Sequence, residues 1–319
     1  MLNSYLFSRQ AILIVLGCLV CQAGAGLFYA SRAIAPDVIA ELGWTRTMLS
    51  SAMAPMIFVT SVCQAGIGAA CVRYGIRPVL VGAVVCLAAT FFVLAGMHSL
   101  PVFYAATMLL ALGNAGIGDV SVGAVITRWF GRSRGIALGI ALAGSNIGAV
   151  VFVRAIVDGT QAFGWREATF GVGALALVLI LPFALFVVRD PRPGEGEVAS
   201  EEDAGAASAT ADEEAPRNAR EKIPDAPLAR SGGAPIPGEE DSVDLARALR
   251  SPAFWILFFT VFCYAVAQLG MIDHLVLYLV DIGYARDEAA DALGLTVGAG
   301  ILAKLGAGVV ALQIGRAHV

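Results

Sequence analysis

Eight apolar runs occupy most of this chain, and each is long enough to cross a lipid bilayer as one helix. About 20 apolar residues in a helix span the roughly 30 Å of hydrocarbon in a bilayer. The runs are residues 11–34, 49–71, 79–97, 100–127, 136–157, 168–188, 253–280 and 289–312. They predict an all-α membrane protein with eight spans.

The composition supports a membrane location. Hydrophobic residues make up 58% of the chain and charged residues 14%, whereas charged residues are about a quarter of an ordinary soluble domain. The first run could instead be a signal peptide, because Arg9 precedes it and "VLGC" resembles a lipoprotein cleavage site at Cys18. The length of this run and the seven runs that follow favour a membrane span.

Arginines in the short loops predict the orientation. The loops "VRYGIRP" and "RWFGRSRG" are basic, whereas "HSLP" between the third and fourth runs has no Arg or Lys. We therefore expect the N-terminus and the basic loops in the cytoplasm. Arg46, Arg166 and Arg286 fall on the opposite side, which weakens this asymmetry without reversing it.

A polar segment separates the sixth and seventh runs. It is rich in Pro, Gly, Ala and acidic residues and nearly free of aromatic residues, so it buries too little apolar surface to offset the entropy of ordering. We predict a six-helix bundle over residues 1–188, a disordered acidic cytoplasmic linker over 189–250, and the start of a second bundle over 251–319.

The last two runs repeat the first two. "GWTRTMLS" and "GYARDEAA" share a glycine, an aromatic residue and an arginine at the same offsets, and they begin at Gly43 and Gly283. Gly68 and Gly308 are separated by the same 240 residues. Parallel repeats of six helices, with a substrate site where the halves meet, are one design of secondary transporter.

The loop after the second run contains a recognisable motif. "GAACVRYGIR" resembles the cytoplasmic signature of the major facilitator superfamily, with Gly68, Arg73, Gly75 and Arg77 in place. The acidic position of that signature is Val72 here, and in the family this acid helps to latch the cytoplasmic gate. "RWFGRSRGIALGIALAGSNIG" and "ALRSPAFW" look more narrowly like the monocarboxylate and oxalate/formate porters. The resemblance implies a helical bundle of the major facilitator type.

The same resemblance implies twelve helices in two halves of six. This sequence contains the first half and two helices of the second, and it ends inside the second copy of the gate motif. We therefore interpret it as a fragment, or as the product of a truncated or shifted reading frame.

Lys304 is one of two lysines in the chain and lies inside the last run. An ionisable side chain in a membrane helix costs about 2.5 to 3.5 kcal/mol on insertion scales, so one that is retained usually faces a wet cavity or a partner. The resemblance implies that a basic residue here binds the substrate carboxylate. The alternative is that Lys304 extends to the inner headgroups. Porters with proton coupling often carry an acid one turn earlier, where this chain has Gly300.

Arg32 lies near the end of the first run, where the similar porters have a basic residue. The 240-residue offset relates it to Ile272, the neighbour of Asp273 on the seventh run. We expect either an Arg32–Asp273 ion pair at the outer gate or two side chains that extend separately to the membrane surface. His274 has the chemistry to titrate near neutral pH, although helix packing is the simpler interpretation.

Asp119 lies among glycines in the fourth run, in "GNAGIGDVSVG". It either carries a proton in place of the acid missing at Gly300 or pairs with a loop arginine such as Arg128, and we favour the pairing. The glycines of "GIALGIALAGSNIGA" in the fifth run predict close helix packing. Ser145 stands where proline is usual in the antiporter motif, so this run does not separate exchange from symport.

Other kinds of chemical site are not supported by the sequence. Cys18 and Cys21 lie in an apolar run without a basic neighbour, which is typical of packing residues. The three histidines lack nearby carboxylate pairs or cysteines, so we predict no metal site. The chain has no P-loop motif for ATP-driven transport. We predict no cofactor, no enzyme activity and no nucleic-acid partner.

The residues and the resemblance together predict a secondary active transporter of small, monocarboxylate-like organic anions. We expect it to work by alternating access, either with proton coupling or by exchange, in the cytoplasmic membrane of a bacterium. Its partners are then the anion, H⁺ in the coupled case, and the lipid bilayer. The alternative is a membrane protein that binds or senses such anions without moving them, or an inactive fragment.

Overall fold

The structure, a computed structural model, describes residues 9–131, 133–192, 195 and 249–317. Within its helices, the side chains of residues 269, 272–274, 276, 277, 280, 286, 287, 289, 290 and 311–317 lie outside this description. The regular elements in the described ranges are helices, and no strand occurs among them. The fold class predicted from the apolar runs is therefore confirmed.

The α-helices are α1 (Arg9–Ala23), α2 (Leu27–Ala33), α3 (Ala35–Leu42), α4 (Arg46–Ser50), α5 (Met53–Tyr74), α6 (Ile76–Ala95), α7 (Leu100–Ile117), α8 (Asp119–Trp129), α9 (Arg134–Phe163), α10 (Trp165–Pro182), α11 (Pro252–Asp281) and α12 (Arg286–Ala317). A 3₁₀ turn, Gly24–Gly26, joins α1 to α2. A π-helical turn, Phe183–Val187, follows α10.

Seven helical segments of the described chain are long and apolar enough to cross a membrane: Arg9–Leu42, Arg46–Tyr74, Ile76–Ala95, Leu100–Trp129, Arg134–Phe163, Trp165–Val187 and Asp291–Val310. They match the first six predicted runs and the eighth, so we call them spans 1 to 6 and span 8. The seventh run forms α11, whose described apolar part, Pro252–Gln268, is shorter than the other seven.

Span 4 is broken into two helices by a glycine. Helix α7 ends at Ile117, and Gly118 has an extended backbone with φ −68° and ψ −170°. A second helix, α8, then begins at Asp119. Negative charge is favourable at this place, because the first backbone N–H groups of a helix are unpaired and carry partial positive charge.

Helices α1 and α9 pack closely along small residues. A Cβ at Gly144 would overlap the carbonyl of Leu19, and a Cβ at Gly148 would overlap the carbonyl of Ala23. Glycine therefore lets the two backbones touch, as the sequence of the fifth run predicted. Gln22 lies on α1 between these contacts and is 1% exposed.

The apolar core lies among spans 1, 3, 4, 5 and 6. Its largest fully buried side chains include Trp129, Phe91, Phe130, Phe152 and Leu27. Span 2 is largely exposed, since only 11% of its apolar window is buried. The core therefore belongs to the bundle that the first six runs predicted.

The chain divides into two compact units: residues 1–209 with 294–319, and residues 210–293. The larger unit includes spans 1 to 6 and most of α12. In the other unit, α11 carries exposed aromatic side chains that contact one another, among them Trp255, Phe258 and Phe262. Most of the predicted linker, 189–250, lies outside the described residues, so the predicted three-part division stays a prediction.

Candidate functional site

Lys304 of α12 makes its hydrogen bonds with the middle of α9. Its Nζ donates to the backbone carbonyl of Leu142 at 3.0 Å and to Oγ of Ser145 at 2.6 Å. Leu142 lies eight residues after the start of α9, which is roughly 12 Å along the helix axis. The half-buried ammonium therefore lies between helices, and its role in binding substrate stays a prediction.

Two glycines let α9 and α12 approach each other beside this lysine. A Cβ at Gly139 would lie 2.7 Å from the backbone carbonyl of Lys304, and a Cβ at Gly308 would lie 2.7 Å from a backbone carbonyl of α9. Asn146 also crosses the contact, because its Nδ2 donates to the carbonyl of Val297 at 2.6 Å. Lys304 is thus held where the two backbones are in close contact.

Asp119 brings a negative charge to the same region. Its Oδ1 accepts a hydrogen bond of 2.6 Å from Nε2 of Gln22, and its carboxylate interacts electrostatically with Lys304. The buried Oε1 of Gln22 has no hydrogen-bond partner among the described residues. Spans 1, 4, 5 and 8 therefore contribute to one group, which we call the polar cluster: Gln22, Asp119, Ser145, Asn146 and Lys304.

The charges of the polar cluster determine which ligands it can accept. With Lys304 and Asp119 both ionised, the cluster contains one positive and one negative charge. A charge between helices acts in an effective dielectric well below that of water, so its attraction for an opposite charge is stronger there. The ammonium is a hydrogen-bond donor without acceptor capacity.

The favoured pairing of Asp119 with Arg128 is wrong. The two residues lie nine positions apart, at opposite ends of α8, which places them roughly 14 Å apart along the axis. Asp119 is bonded to Gln22, and Arg128 forms an ion pair with Asp190. The other interpretation of Asp119, as a proton carrier, stays a prediction.

Arg32 lies on α2, in the second half of span 1. Its guanidinium contacts Sδ of Met53 at the start of α5 and lies 4.6 Å from the ring centre of Phe28. Asp273 and His274 are positioned on α11, but their side chains lie outside the described residues. The Arg32–Asp273 pair therefore stays a prediction, as does a role for His274.

The residues of the predicted gate motif surround the turn between α5 and α6. Gly75 makes this turn with φ +81° and ψ 165°, in a region that residues with a side chain rarely adopt. Gly68 and Arg73 precede it on α5, and Arg77 follows it on α6. Nε of Arg77 donates to the carbonyl of Val188 at 3.4 Å, which connects the turn to the end of span 6.

Asp190, from a distant part of the sequence, supplies the acid beside this turn. Its Oδ2 accepts a hydrogen bond of 3.1 Å from the backbone N–H of Ile76, and its Oδ1 pairs with Arg128 at the end of α8. Val72, which replaces the acid of the motif, is 79% exposed. Asp190 therefore joins the ends of spans 3 and 4 to the segment after span 6.

Further contacts hold the chain just after span 6. Nε1 of the buried Trp129 donates to the carbonyl of Arg189 at 2.8 Å, and the guanidinium of Arg189 lies 5.1 Å from the ring centre of Trp129. Arg189 also pairs with Glu195 at 2.5 Å. Hydrogen bonds from Arg189 and from the backbone N–H of Arg192 lower the pKa of Glu195 to about 2. The start of the polar segment is thus fixed against span 4.

The sequence profile of the Major Facilitator Superfamily matches residues 13–318. The chain belongs to the Major Facilitator Superfamily. Together with the apolar spans, this membership indicates an integral multi-pass membrane protein.

Curated major facilitator proteins resemble parts of the chain. An MFS-type transporter of Aspergillus niger, pynF, is 38% identical over 77 residues, 23% of this chain and 17% of the relative. The oxalate:formate antiporter of Oxalobacter formigenes is 30% identical over 188 residues, 58% of this chain and 43% of the relative. An uncharacterized MFS-type transporter of Bacillus subtilis, YcxA, is 23% identical over 153 residues, 48% of this chain and 38% of the relative. The chain spans less than half the length of these relatives.

Sequence reasoning missed several polar residues of this major facilitator protein. It gave no role to Gln22 or Asn146, although an amide inside an apolar run is a signal, because a polar group at that depth needs a partner. It also assigned Asp190 only to the acidic segment. Asp190 is the first acidic residue after the sixth run. Its position next to the end of a span was the feature that could have indicated a structural role.

Metal and thiol chemistry find little support in the described part of this major facilitator chain. No group of three His, Cys, Asp or Glu side chains there could hold a metal ion. Cys18 and Cys21 are buried free thiols on α1. Both side chains are fully buried in the apolar core, a position typical of packing residues.

Proposed function

We propose that this protein is a secondary active transporter that moves small organic anions of the monocarboxylate type by alternating access. The observation that carries the proposal is the half-buried ammonium of Lys304, which contacts the middle of α9 through two uncharged acceptors. The relative named as an oxalate:formate antiporter aligns with 58% of the chain. That relative supports a carboxylate as the recognised group.

A carboxylate fits this position for electrostatic reasons. Two opposite unit charges 4 Å apart attract by roughly 4 kcal/mol at an effective dielectric of 20, compared with about 1 kcal/mol in bulk water. Lys304 therefore attracts an anion more strongly between helices than at the surface. The monocarboxylate assignment itself follows from the resemblance of the chain to the monocarboxylate and oxalate/formate porters.

Charge balance allows two coupling modes, proton coupling and exchange. Asp119 and Lys304 carry opposite charges and interact electrostatically, so a bound anion adds one negative charge. Proton uptake at Asp119, Asp273 or His274 would offset that charge. Exchange of one anion for another would avoid the imbalance, and the proposal includes both modes.

The remaining predicted residues have roles along the same pathway. We assign Arg32 as a second basic residue for the anion and Asp273 as its partner at the outer gate. Gly68, Arg73, Gly75 and Arg77 belong to the cytoplasmic gate. We place the protein in the cytoplasmic membrane of a bacterium. Its N-terminus is then inside, because basic short loops are expected on the cytoplasmic side.

Uptake of radiolabelled acetate into proteoliposomes tests the proposed function. The wild-type protein should accumulate acetate above protein-free liposomes, and Lys304→Gln should reduce uptake to the protein-free level while leaving membrane insertion intact. Lys304→Arg should retain part of the uptake, since the charge remains while the donor geometry changes. Lys222→Gln is the matched control, because it removes the other lysine of the chain, and it should transport like the wild type.

Two results would contradict the proposal in different ways. Equal uptake by the wild type and Lys304→Gln would show that Lys304 is not the anion ligand. Acetate binding in a calorimeter without any uptake would instead identify an anion-binding or sensing protein that does not transport.

A further inference from the structure

The ammonium of Lys304, the group proposed to bind the substrate, is hydrogen-bonded to α9 in this structure. A lysine ammonium has three N–H donors. Two of them bind the Leu142 carbonyl at 3.0 Å and the Ser145 hydroxyl at 2.6 Å. Both acceptors are uncharged. The third N–H is left for another acceptor, and a carboxylate that takes more than this one donor competes with α9 for the side chain.

Helix α9 can satisfy its own polar groups when Lys304 leaves them. Oγ of Ser145 lies 3.0 Å from the Leu142 carbonyl and 3.3 Å from Oδ1 of Asn146. The hydroxyl proton can be donated to either oxygen. Departure of the ammonium therefore strands no acceptor of α9, and the large cost of an unpaired buried polar group is avoided. The contact can break and re-form.

Two other contacts between α9 and α12 do not depend on charge. Asn146 donates to the Val297 carbonyl at 2.6 Å, and Gly139 and Gly308 bring the two backbones together. Neither of these contacts contains a charged group that would attract an anion. Among these three contacts, that of Lys304 is the one that an anion can replace.

We infer that Lys304 is a ligand-operated switch between α9 and α12. Its ammonium ties α12 to Leu142 and Ser145, and a bound carboxylate replaces these acceptors and releases α9 at this point. The ammonium and a carboxylate carry opposite charges, which attract more strongly between helices than in water, whereas Leu142 and Ser145 offer uncharged acceptors, so the carboxylate wins the exchange. Ser145 is then a competitor of the substrate. The inference rests on the proposed function.

Acetate affinity distinguishes a competitor from a ligand. Ser145→Ala removes one acceptor of Lys304, so acetate should bind the purified protein about three- to tenfold more tightly than it binds the wild type, the effect of losing one competing hydrogen bond. Ser61→Ala is the matched control, because it removes a serine hydroxyl whose hydrogen bond stays within α5, and its affinity should equal that of the wild type. Equal or weaker binding to Ser145→Ala, measured by calorimetry, would overturn the inference.

Melting temperatures supply a readout that does not depend on transport. Without acetate, Ser145→Ala should melt below the wild type, because one hydrogen bond between α9 and α12 is missing. At saturating acetate the two should converge, since the wild type has then given up the same contact. Ser61→Ala should differ from the wild type by the same margin in both conditions, because its hydroxyl bonds only within α5.

The outcomes separate the switch from the proposed function. A melting deficit of Ser145→Ala that acetate does not change would overturn the switch and leave the proposed function standing. Absence of acetate binding in the wild type and in both variants would overturn the proposed function, and the switch with it.

Discussion

The carboxylate of Asp190 accepts a 3.1 Å hydrogen bond from the backbone N–H of Ile76, the first residue of α6. The two residues are 114 positions apart. The N-cap residue of α6 is Gly75, which has no capping side chain. Asp190 therefore supplies from a distance the acceptor and the negative charge that a helix N-terminus favours. Its pairing with Arg128 extends this support to span 4.

We predict that Asp190→Asn lowers the melting temperature of the protein. Asparagine retains an acceptor for Ile76 but loses the charge that pairs with Arg128 and complements the helix dipole. Because about a third of each side chain is exposed, 34% and 36%, the expected loss is about 1 kcal/mol.

A matched control for Asp190 is available on α9. Asp158 pairs with Arg154 four residues earlier, and these side chains are 53% and 72% exposed. Asp158→Asn should therefore change stability by at most about 0.5 kcal/mol. Thermal melting in detergent measures both variants, and equal melting temperatures would show that the Asp190 contacts are not special.

We predict that Gly148→Ala destabilises the bundle. The added Cβ would overlap the backbone carbonyl of Ala23 on α1, and a backbone atom cannot move aside as a flexible side chain can. The expected cost is about 1–3 kcal/mol, as for other overpacked cores. Gly171→Ala is the control, because a Cβ there meets no atom within 4 Å. A melting temperature for Gly148→Ala as high as that of Gly171→Ala would contradict the close α1–α9 contact.

The predicted orientation can be tested with two exposed positions. Tyr74, beside the basic gate motif, is 64% exposed, and Ser99 in the loop without Arg or Lys is also exposed. After replacement of the six native cysteines by alanine, Ser99→Cys should react with an impermeant maleimide in intact cells, and Tyr74→Cys should react only after lysis. Labelling of Tyr74→Cys from outside would reverse the orientation.

The proposed outer pair predicts coupling between Arg32 and Asp273. Removal of either charge leaves the other without its partner, so Arg32→Gln and Asp273→Asn should each impair acetate uptake. Exchange of the two residues, with Asp at 32 and Arg at 273, should restore part of it. Additive losses in the exchanged protein would instead indicate independent roles.

Much of the fold could be predicted because it depends on local properties of the chain. Whether a run of residues spans a bilayer depends on its length and apolarity, so spans 1 to 6 and span 8 were evident from the sequence. The turn at Gly75 was marked by its motif, and the close packing of α9 by its glycines. Lys304 was conspicuous because a lysine in an apolar run is costly.

The sequence by itself determined which polar groups lie at membrane depth, and only the tertiary structure decided their partners. Asp119 meets Gln22 across 97 positions, and Lys304 meets Ser145 across 159. A charge at membrane depth is most favourable beside a group that hydrogen-bonds or neutralises it, and several candidates on different helices satisfy that requirement equally in a linear sequence. The glycine contacts between helices select among those candidates, because they determine which faces meet and at what height.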